Sequence, residues 1–388
     1  MRHRCLLATL TAVALAVAGA LPAQAGVVAA PATPCAQPDG RVAAMVLHGR
    51  TVYLGGRFTR VRDKAGVYHA RARLAAVDAD TCDLLPWRAD TDGEVNALEV
   101  AAGVVYAGGA FTRVGGVARA RLAAIEADAD AGVLPFNGRL DRPVRALSAV
   151  AGRLYAGGDF NLAQGAVRSR LAAFDLATGV VAGGWRPSAN SGVLTLQPSP
   201  LGGKLYVGGN FTTLDGSPRA YLALVDLSDG GVDTSFSPWA DYPQAPFPMI
   251  DLAADSRGLY AGGGGSGGHL VLWNLDGSLQ RPVYQTDGGV QSVVPDGDSL
   301  YVGGHFTNYC VGNTGSGSPY VCTTPLLRRK AFEVSLSTGQ LTSWAPRMNS
   351  PHGVLVSVVD PVTHSLWMAG DFTKIGTRAV SRLAVFKA

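Results

Sequence analysis

One phrase, Leu-Tyr-x-Gly-Gly-x-Phe, constrains this chain more than any other feature, because it returns seven times. It reads VYLGGRF from Val52, VYAGGAF from Val105, LYAGGDF from Leu154 and LYVGGNF from Leu205. It degrades to LYAGGGG from Leu259, returns as LYVGGHF from Leu300 and closes as LWMAGDF from Leu366. The aromatic second residues, from Tyr53 to Trp367, are 53, 49, 51, 54, 41 and 66 residues apart. A repeat near 50 residues belongs to solenoids and propellers, in which no unit can bury its apolar surface alone.

The second unit shows what one repeat can fold into. Val95–Val100 reads as a short inner strand, Val104–Phe111 as the signature strand, Leu122–Ile125 as a third and Val133–Phe136 as an outer one. Gly, Pro, Asp or Asn bound each run, and helical periodicity is missing after residue 25. Four antiparallel strands repeated radially make a propeller blade, so the expectation is all-β: seven four-stranded blades in one domain over residues 26–388. The Gly-Gly pair is expected to allow close contact between blades or a bulge, and Trp87, Trp185, Trp239 and Trp344 to pack between blades. The last unit stops after its third strand, so the segment after residue 25 is expected to complete the seventh blade and close the ring, which leaves no sheet edge for aggregation.

The segment Leu205–Gly230, LYVGGNFTTLDGSPRAYLALVDLSDG, resembles the delta-60 repeat propeller of secreted actinobacterial proteins and, more distantly, the repeats of fungal Rax2-like proteins. The likeness runs over nearly all of the chain after residue 25. It implies a propeller and brings no catalytic motif with it.

Residues 1–25 read as an export signal: Arg2 and Arg4, an apolar run from Leu6 to Leu21, and Ala23-Gln24-Ala25 as a small-x-small cleavage site. The apolar run is short for a membrane span, which needs about 20 residues. The expected product starts at Gly26 and is secreted, with no membrane span. It keeps Cys35, Cys82, Cys310 and Cys322. An even count in an exported chain suggests two disulfides. Of the three possible pairings, Cys310 with Cys322 is the local choice and leaves Cys35 with Cys82. No zinc-type spacing is present, and no metal or cofactor is expected.

The formal charge of the whole chain is +4. Bulk polycation character is therefore missing, and nucleic acid is not an expected partner. Local charge is another matter. The loops between the second and third strands hold Arg60, Arg62, Lys64, Arg71 and Arg73 in the first unit and Arg328, Arg329 and Lys330 in the sixth. One face is thus expected to be basic and to attract an acidic polysaccharide, a cell-wall polymer or an acidic protein. An Arg ahead of the third strand recurs as Arg73, Arg121, Arg170, Arg219 and Arg382. The loops into each inner strand supply Asp39, Asp92, Asp141, Asn190, Asp287 and Asn349. Bonds from Arg to carboxylates or carbonyls between loops would account for both series.

The residue before the signature Phe varies while its neighbours stay fixed: Arg57, Ala110, Asp159, Asn210, Gly264, His305, Asp371. In a closed ring, His305, Asp371 and Arg57 are consecutive, with His352 nearby. A carboxylate between His and Arg could orient a general base or hold a polar ligand. The long loop from Thr307 to Pro325, with Tyr309 and Tyr320, reads as a lid or contact finger. GGGGSGGH from Gly262 nearly deletes the equivalent loop of the fifth unit. The P-loop and HExxH are absent, and the Asp-x-Asp turns lack calcium-loop spacing. The leading expectation is a monomeric, non-catalytic recognition module. The alternative is a propeller hydrolase or lyase using His305 and Asp371, with Arg57 and Arg62 holding substrate anions.

Overall fold

A computed structural model describes residues 35–388 apart from 129, 241, 243–244, 282 and 314–321. The described residues form strands and turns and no helix. Seven antiparallel meanders follow one another, each with an inner strand A, a signature strand B and a third strand C. The A strands are Val42–His48, Val95–Ala101, Val144–Val150, Val193–Pro198, Met249–Asp255, Val290–Asp296 and Val354–Val359. The B strands begin at Thr51, Val104, Arg153, Lys204, Gly258, Ser299 and Leu366 and end on the Gly-Gly pair or, in the last unit, on Gly370. The C strands run Leu74–Asp78, Leu122–Glu126, Leu171–Asp175, Leu222–Asp226, Gly268–Trp273, Ala331–Ser335 and Leu383–Phe386.

A fourth strand D is fully paired at Val133–Asn137 and Tyr284–Thr286. Elsewhere it is reduced to single bridges such as Val77 to Leu84 and Phe174 to Val181. The expectation of four regular strands per unit is therefore met in two units. The other outer segments carry Pro, Gly and Ser, which break the ladder.

The Gly-Gly pair does two separate jobs. A Cβ on the first glycine would press on the inner-strand valine of the next unit: 2.6 Å from Val95 at Gly55, 2.5 Å from Val144 at Gly108 and 2.6 Å from Val354 at Gly303. The second lies against the carbonyl ahead of its own inner strand, where that strand's register shifts by one residue. Close approach and bulge are thus both real, one per glycine.

Packing explains why the units need each other. Seven buried cores lie between successive units and not within them. The core shared by the first and last units joins Val52, Leu54 and Phe58 to Trp367, Leu383 and Val385. Arg50 crosses the same seam to the buried Asp360 at 2.6 Å. The inner strand of the last unit lies beside that of the first, although no hydrogen-bonded ladder runs through all the units. Trp87 and Trp185 reach across in the same way, donating to the carbonyls of Glu126 and Asp226 in the following units, each at 2.9 Å.

The expected closing strand, residues 26–34, lies outside the described residues. Gln37–Pro38 pairs with Arg60–Arg62 of the first unit. Thr91, Ala189 and Met348 make the matching bridges in their own units. Each outer segment, on its way to the next inner strand, thus touches the B–C hairpin of the unit it enters. Both cysteine pairs stand at disulfide geometry, with Cα atoms 4.6 Å apart in Cys35–Cys82 and 5.3 Å in Cys310–Cys322.

The stretch read as a lid is a β-hairpin, Asn308–Asn313 against Cys322–Leu327. Its Tyr309 pairs with Thr286, so the hairpin extends the sheet of the fifth unit to six strands. Tyr309 is half-buried against Phe332 rather than held out as a finger, and Tyr320 lies outside the described residues.

Candidate functional site

The inner strands surround a central channel with a cavity of about 540 Å³, walled by strand A residues of all seven units. At one station of strand A six units carry a small or apolar residue: Ala44, Ala97, Ala146, Thr195, Ser292 and Val356. At that station the fifth unit has Asp251. Burial pushes the Asp251 carboxyl up to about 7, against a bond from the Val293 N–H of the next unit at 2.9 Å. Glu99 repeats the arrangement at the other end of its strand. Burial raises it to about 7, opposed by the Ala149 N–H of the third unit. The edge of an inner strand would otherwise leave backbone N–H groups bare, and these side chains cover two of them. Of these two raised carboxyls, Asp251 lines the channel.

The mouth of the channel lies at the B–C end. Arg41 binds Glu94 of the next unit at 2.5 Å, and Arg57 stands 3.8 Å from the same carboxylate. Arg145 donates to Asp159 at 2.9 Å. Asn210 is exposed on the same rim. The His305 ring lies against Gly288 and Gly289 and accepts the Gly289 N–H at Nε2, 3.2 Å away. Partial burial lowers the His305 pKa, and the Lys330 and His352 charges lower it further. Asp371 receives the Ser350 hydroxyl.

His305, Asp371 and Arg57 thus each keep a separate partner, and no hydrogen bond or ion pair joins them among the described residues. Lys330, which the sequence reading placed only among loop charges, lies between the first two. Its ammonium donates to the His305 carbonyl at 2.7 Å and feels the Asp371 charge. Arg62 reaches Gln37 at 2.8 Å, Arg328 reaches the Leu327 and Thr342 carbonyls, and Arg329 and His352 are exposed.

The repeated charges pair differently from the expectation. Asp39, Asp92, Asp141, Asn190, Asp287 and Asn349 do not chiefly bind arginines. Each accepts the two backbone N–H groups that follow the signature Phe, as in Thr59 and Arg60 on Asp39 and Thr112 and Arg113 on Asp92. This clamp ties the entering loop to the B–C hairpin in six of the seven units. It sits where strand B ends and its next N–H groups have no ladder partner.

The residue ahead of strand C adopts a left-handed backbone at Arg73, Arg121, Arg170, Tyr221, Lys330 and Arg382, with φ from 66° to 72°. Arg219 was assigned to this series and belongs two residues earlier, with Arg71, Arg119, Arg168 and Arg328. Those earlier arginines donate to the carbonyl just before them, and Arg71, Arg119, Arg168 and Arg328 also to the outer segment. Both series therefore use carbonyls, so their positive charge stays unmatched by carboxylates. The sequence reading missed Arg41, Glu94, Glu99, Arg145 and Asp251, although comparing like stations of strand A would have exposed Asp251 as the one charged residue among them.

Comparison with known proteins speaks to the fold. Residues 203–236 match the model of a β-propeller domain of unknown function, DUF5122. The chain is similar to the WD40 β-propeller domain of Doa1, with a TM-score of 0.59 at 13% identity over 93% of this chain and 96% of that one. It is also similar to the computationally designed Ika8 protein, with a TM-score of 0.50 at 14% identity over 91% and 98% of the two chains. No curated protein matches it. The repeat-by-repeat packing and these likenesses together make the chain an all-β protein of the β-propeller type.

Proposed function

We propose that this chain is a secreted, monomeric recognition module that binds an acidic polysaccharide across the B–C end of a seven-bladed ring, with residues 26–34 completing the last blade. The observation that carries the reading is charge polarity. Strands A and C run parallel, so the B–C hairpins and the loops into strand A share one end, and the A–B and C–D turns share the other. Roughly four-fifths of the lysines and arginines after residue 25 lie at the first end, and about three-fifths of the aspartates and glutamates at the second. The near-neutral total hides two faces of opposite sign. On the basic face Arg71, Arg119 and Arg168 are held by carbonyls, which positions them without cancelling their charge.

The test is binding of residues 26–388 to polygalacturonate and to neutral dextran at low and high salt. Polygalacturonate is expected to bind, to be released by salt, and to bind more weakly to Arg57→Glu/Arg329→Glu, while dextran stays unbound. Equal binding of both polymers, or no salt effect, would overturn the reading. Failure of polygalacturonate alongside salt-sensitive capture of an acidic protein would move the partner to the protein class. Release of new reducing ends would replace recognition by catalysis and turn attention to His305 and Asp371.

A further inference from the structure

The grooves between neighbouring units repeat along the outer rim, so each is a control for the others. The groove between units one and two is lined by Tyr53, Leu85, Pro86, Trp87 and Ala127 and encloses about 130 Å³. The equivalent groove between units two and three has Tyr106, Leu134, Pro135, Phe136 and Leu176 at the same stations, and it opens to about 690 Å³. Phe136 stands where units one and three have Trp87 and Trp185; unit four has Phe236 at that station, and there the Tyr206 hydroxyl still donates to the Leu275 carbonyl at 2.7 Å, so the open groove and the unpartnered Tyr106 occur together only here among these four units.

The polar atoms differ in step with the volume. In unit one the Tyr53 hydroxyl donates to the Ala127 carbonyl at 2.6 Å, and in unit three Tyr155 donates to Leu227 at 2.9 Å. The indoles of Trp87 and Trp185 add a second bond across the groove. Phe136 has no N–H to give, and the Leu176 carbonyl does not receive the Tyr106 hydroxyl. Tyr106 is only 6% exposed and lines the cavity, yet its hydroxyl has no hydrogen-bond partner among the described residues. That hydroxyl opens into the cavity, where a bound molecule can supply the partner that the protein does not. The walls are aromatic and aliphatic, with Phe136 edge-on to both Tyr106 and Phe174. Arg139 stands exposed at the rim of the same cavity and adds a positive charge.

The geometry points to a small-molecule site in the groove between units two and three that takes a planar aromatic carboxylate. The ring enters the space that an indole closes in the sister grooves. The Tyr106 hydroxyl bonds to a polar atom of the ring or its substituent, and Arg139 holds the carboxylate.

Indole-3-carboxylate and indole are the probes, titrated into residues 26–388 by calorimetry. The acid is expected to bind the native chain more tightly than indole. Phe136→Trp refills the groove as units one and three do, so it should fold with an unchanged or higher melting temperature and lose binding at least about tenfold. Tyr106→Phe should weaken binding roughly fivefold, and Arg139→Gln should remove the preference for the acid. No binding to the native chain, or native-like binding to a folded Phe136→Trp, would overturn the site. Equal binding of indole and the acid would overturn the carboxylate assignment.

Discussion

The clamp at Asp39 gives the sharpest test of how the units hold their loops. Its carboxylate accepts the Thr59 N–H at 2.8 Å, the Arg60 N–H at 3.0 Å and the Thr59 hydroxyl at 2.9 Å, with the Arg60 guanidinium at 3.3 Å. Asp39→Ala removes every acceptor and leaves two N–H groups at the end of strand B without a protein partner. Bonds to charged groups are worth about 1.5–3 kcal/mol each when buried. This site is partly solvated, and water replaces part of the loss, so the total is about 2 kcal/mol. The Arg60 pair is exposed and adds little. Asp39→Asn is the informative control, because Asn190 and Asn349 already do this job in other units, where Oδ1 accepts both N–H groups and Nδ2 donates to the threonine hydroxyl. The amide should cost under about 1 kcal/mol, which is the charge contribution alone. Equilibrium urea unfolding at pH 7 measures both. Equal losses for the alanine and asparagine variants would refute the clamp, since they would make the charge, and not the acceptor geometry, what matters. The pH dependence adds a second check. Partial burial alone would raise the Asp39 pKa, but the Thr59 and Arg60 bonds outweigh it and hold it below the usual value. A lowered native pKa contributes stability above the unfolded value near 3.8 that is lost as pH falls through the native one. Asp39→Asn should lack that acid-side loss.

Three further outcomes follow from other parts of the molecule. Gly108→Ala drives a methyl to within 2.5 Å of Val144 in the next unit and should cost about 1–3 kcal/mol in urea unfolding. Asp251 titrates the other way from Asp39: its pKa is raised from 3.8 to about 7, so its contribution is fully present below about pH 4 and lost as pH rises through 7. Asp251→Asn should flatten the stability profile across that window, and an unchanged profile would place the titration elsewhere. If residues 1–25 are an export signal, the chain recovered from an exporting host should begin at Gly26 by N-terminal sequencing, and a start at Met1 would remove that reading.

Much of the fold was legible because its unit is short and repeated. The phrase around Tyr53, Tyr106 and Tyr155 marks strand B in every unit, and strand alternation places A and C beside it. The Gly-Gly pair announced close approach without saying that each glycine meets a different neighbour, because Val144 is far from Gly108 in sequence. The hairpin at Asn308–Leu327 read as a loop because Gly, Ser and Asn dominate it. Its strands pair chiefly with each other, and Tyr309 adds one pair with Thr286, contacts that composition does not carry.

The candidate site was less legible. The sequence reading grouped His305, Asp371 and Arg57 by their shared station, and the station is real, but side chains choose partners by distance. Ser350, the Gly288–Gly289 backbone and Glu94 are nearer than the three are to one another. The loop acids were expected to meet arginines, yet the backbone N–H groups at the end of strand B are closer and have no other protein acceptor. Local sequence determined the repeat, the strands, the turn residues and which segments carry which charge, because those depend on neighbours along the chain. Tertiary structure alone decided that the charges separate onto two faces, that Asp251 faces a channel, and that a groove opens beside Tyr106 and Phe136. Burial, desolvation and packing volume belong to surfaces contributed by neighbouring units, and no single repeat contains them.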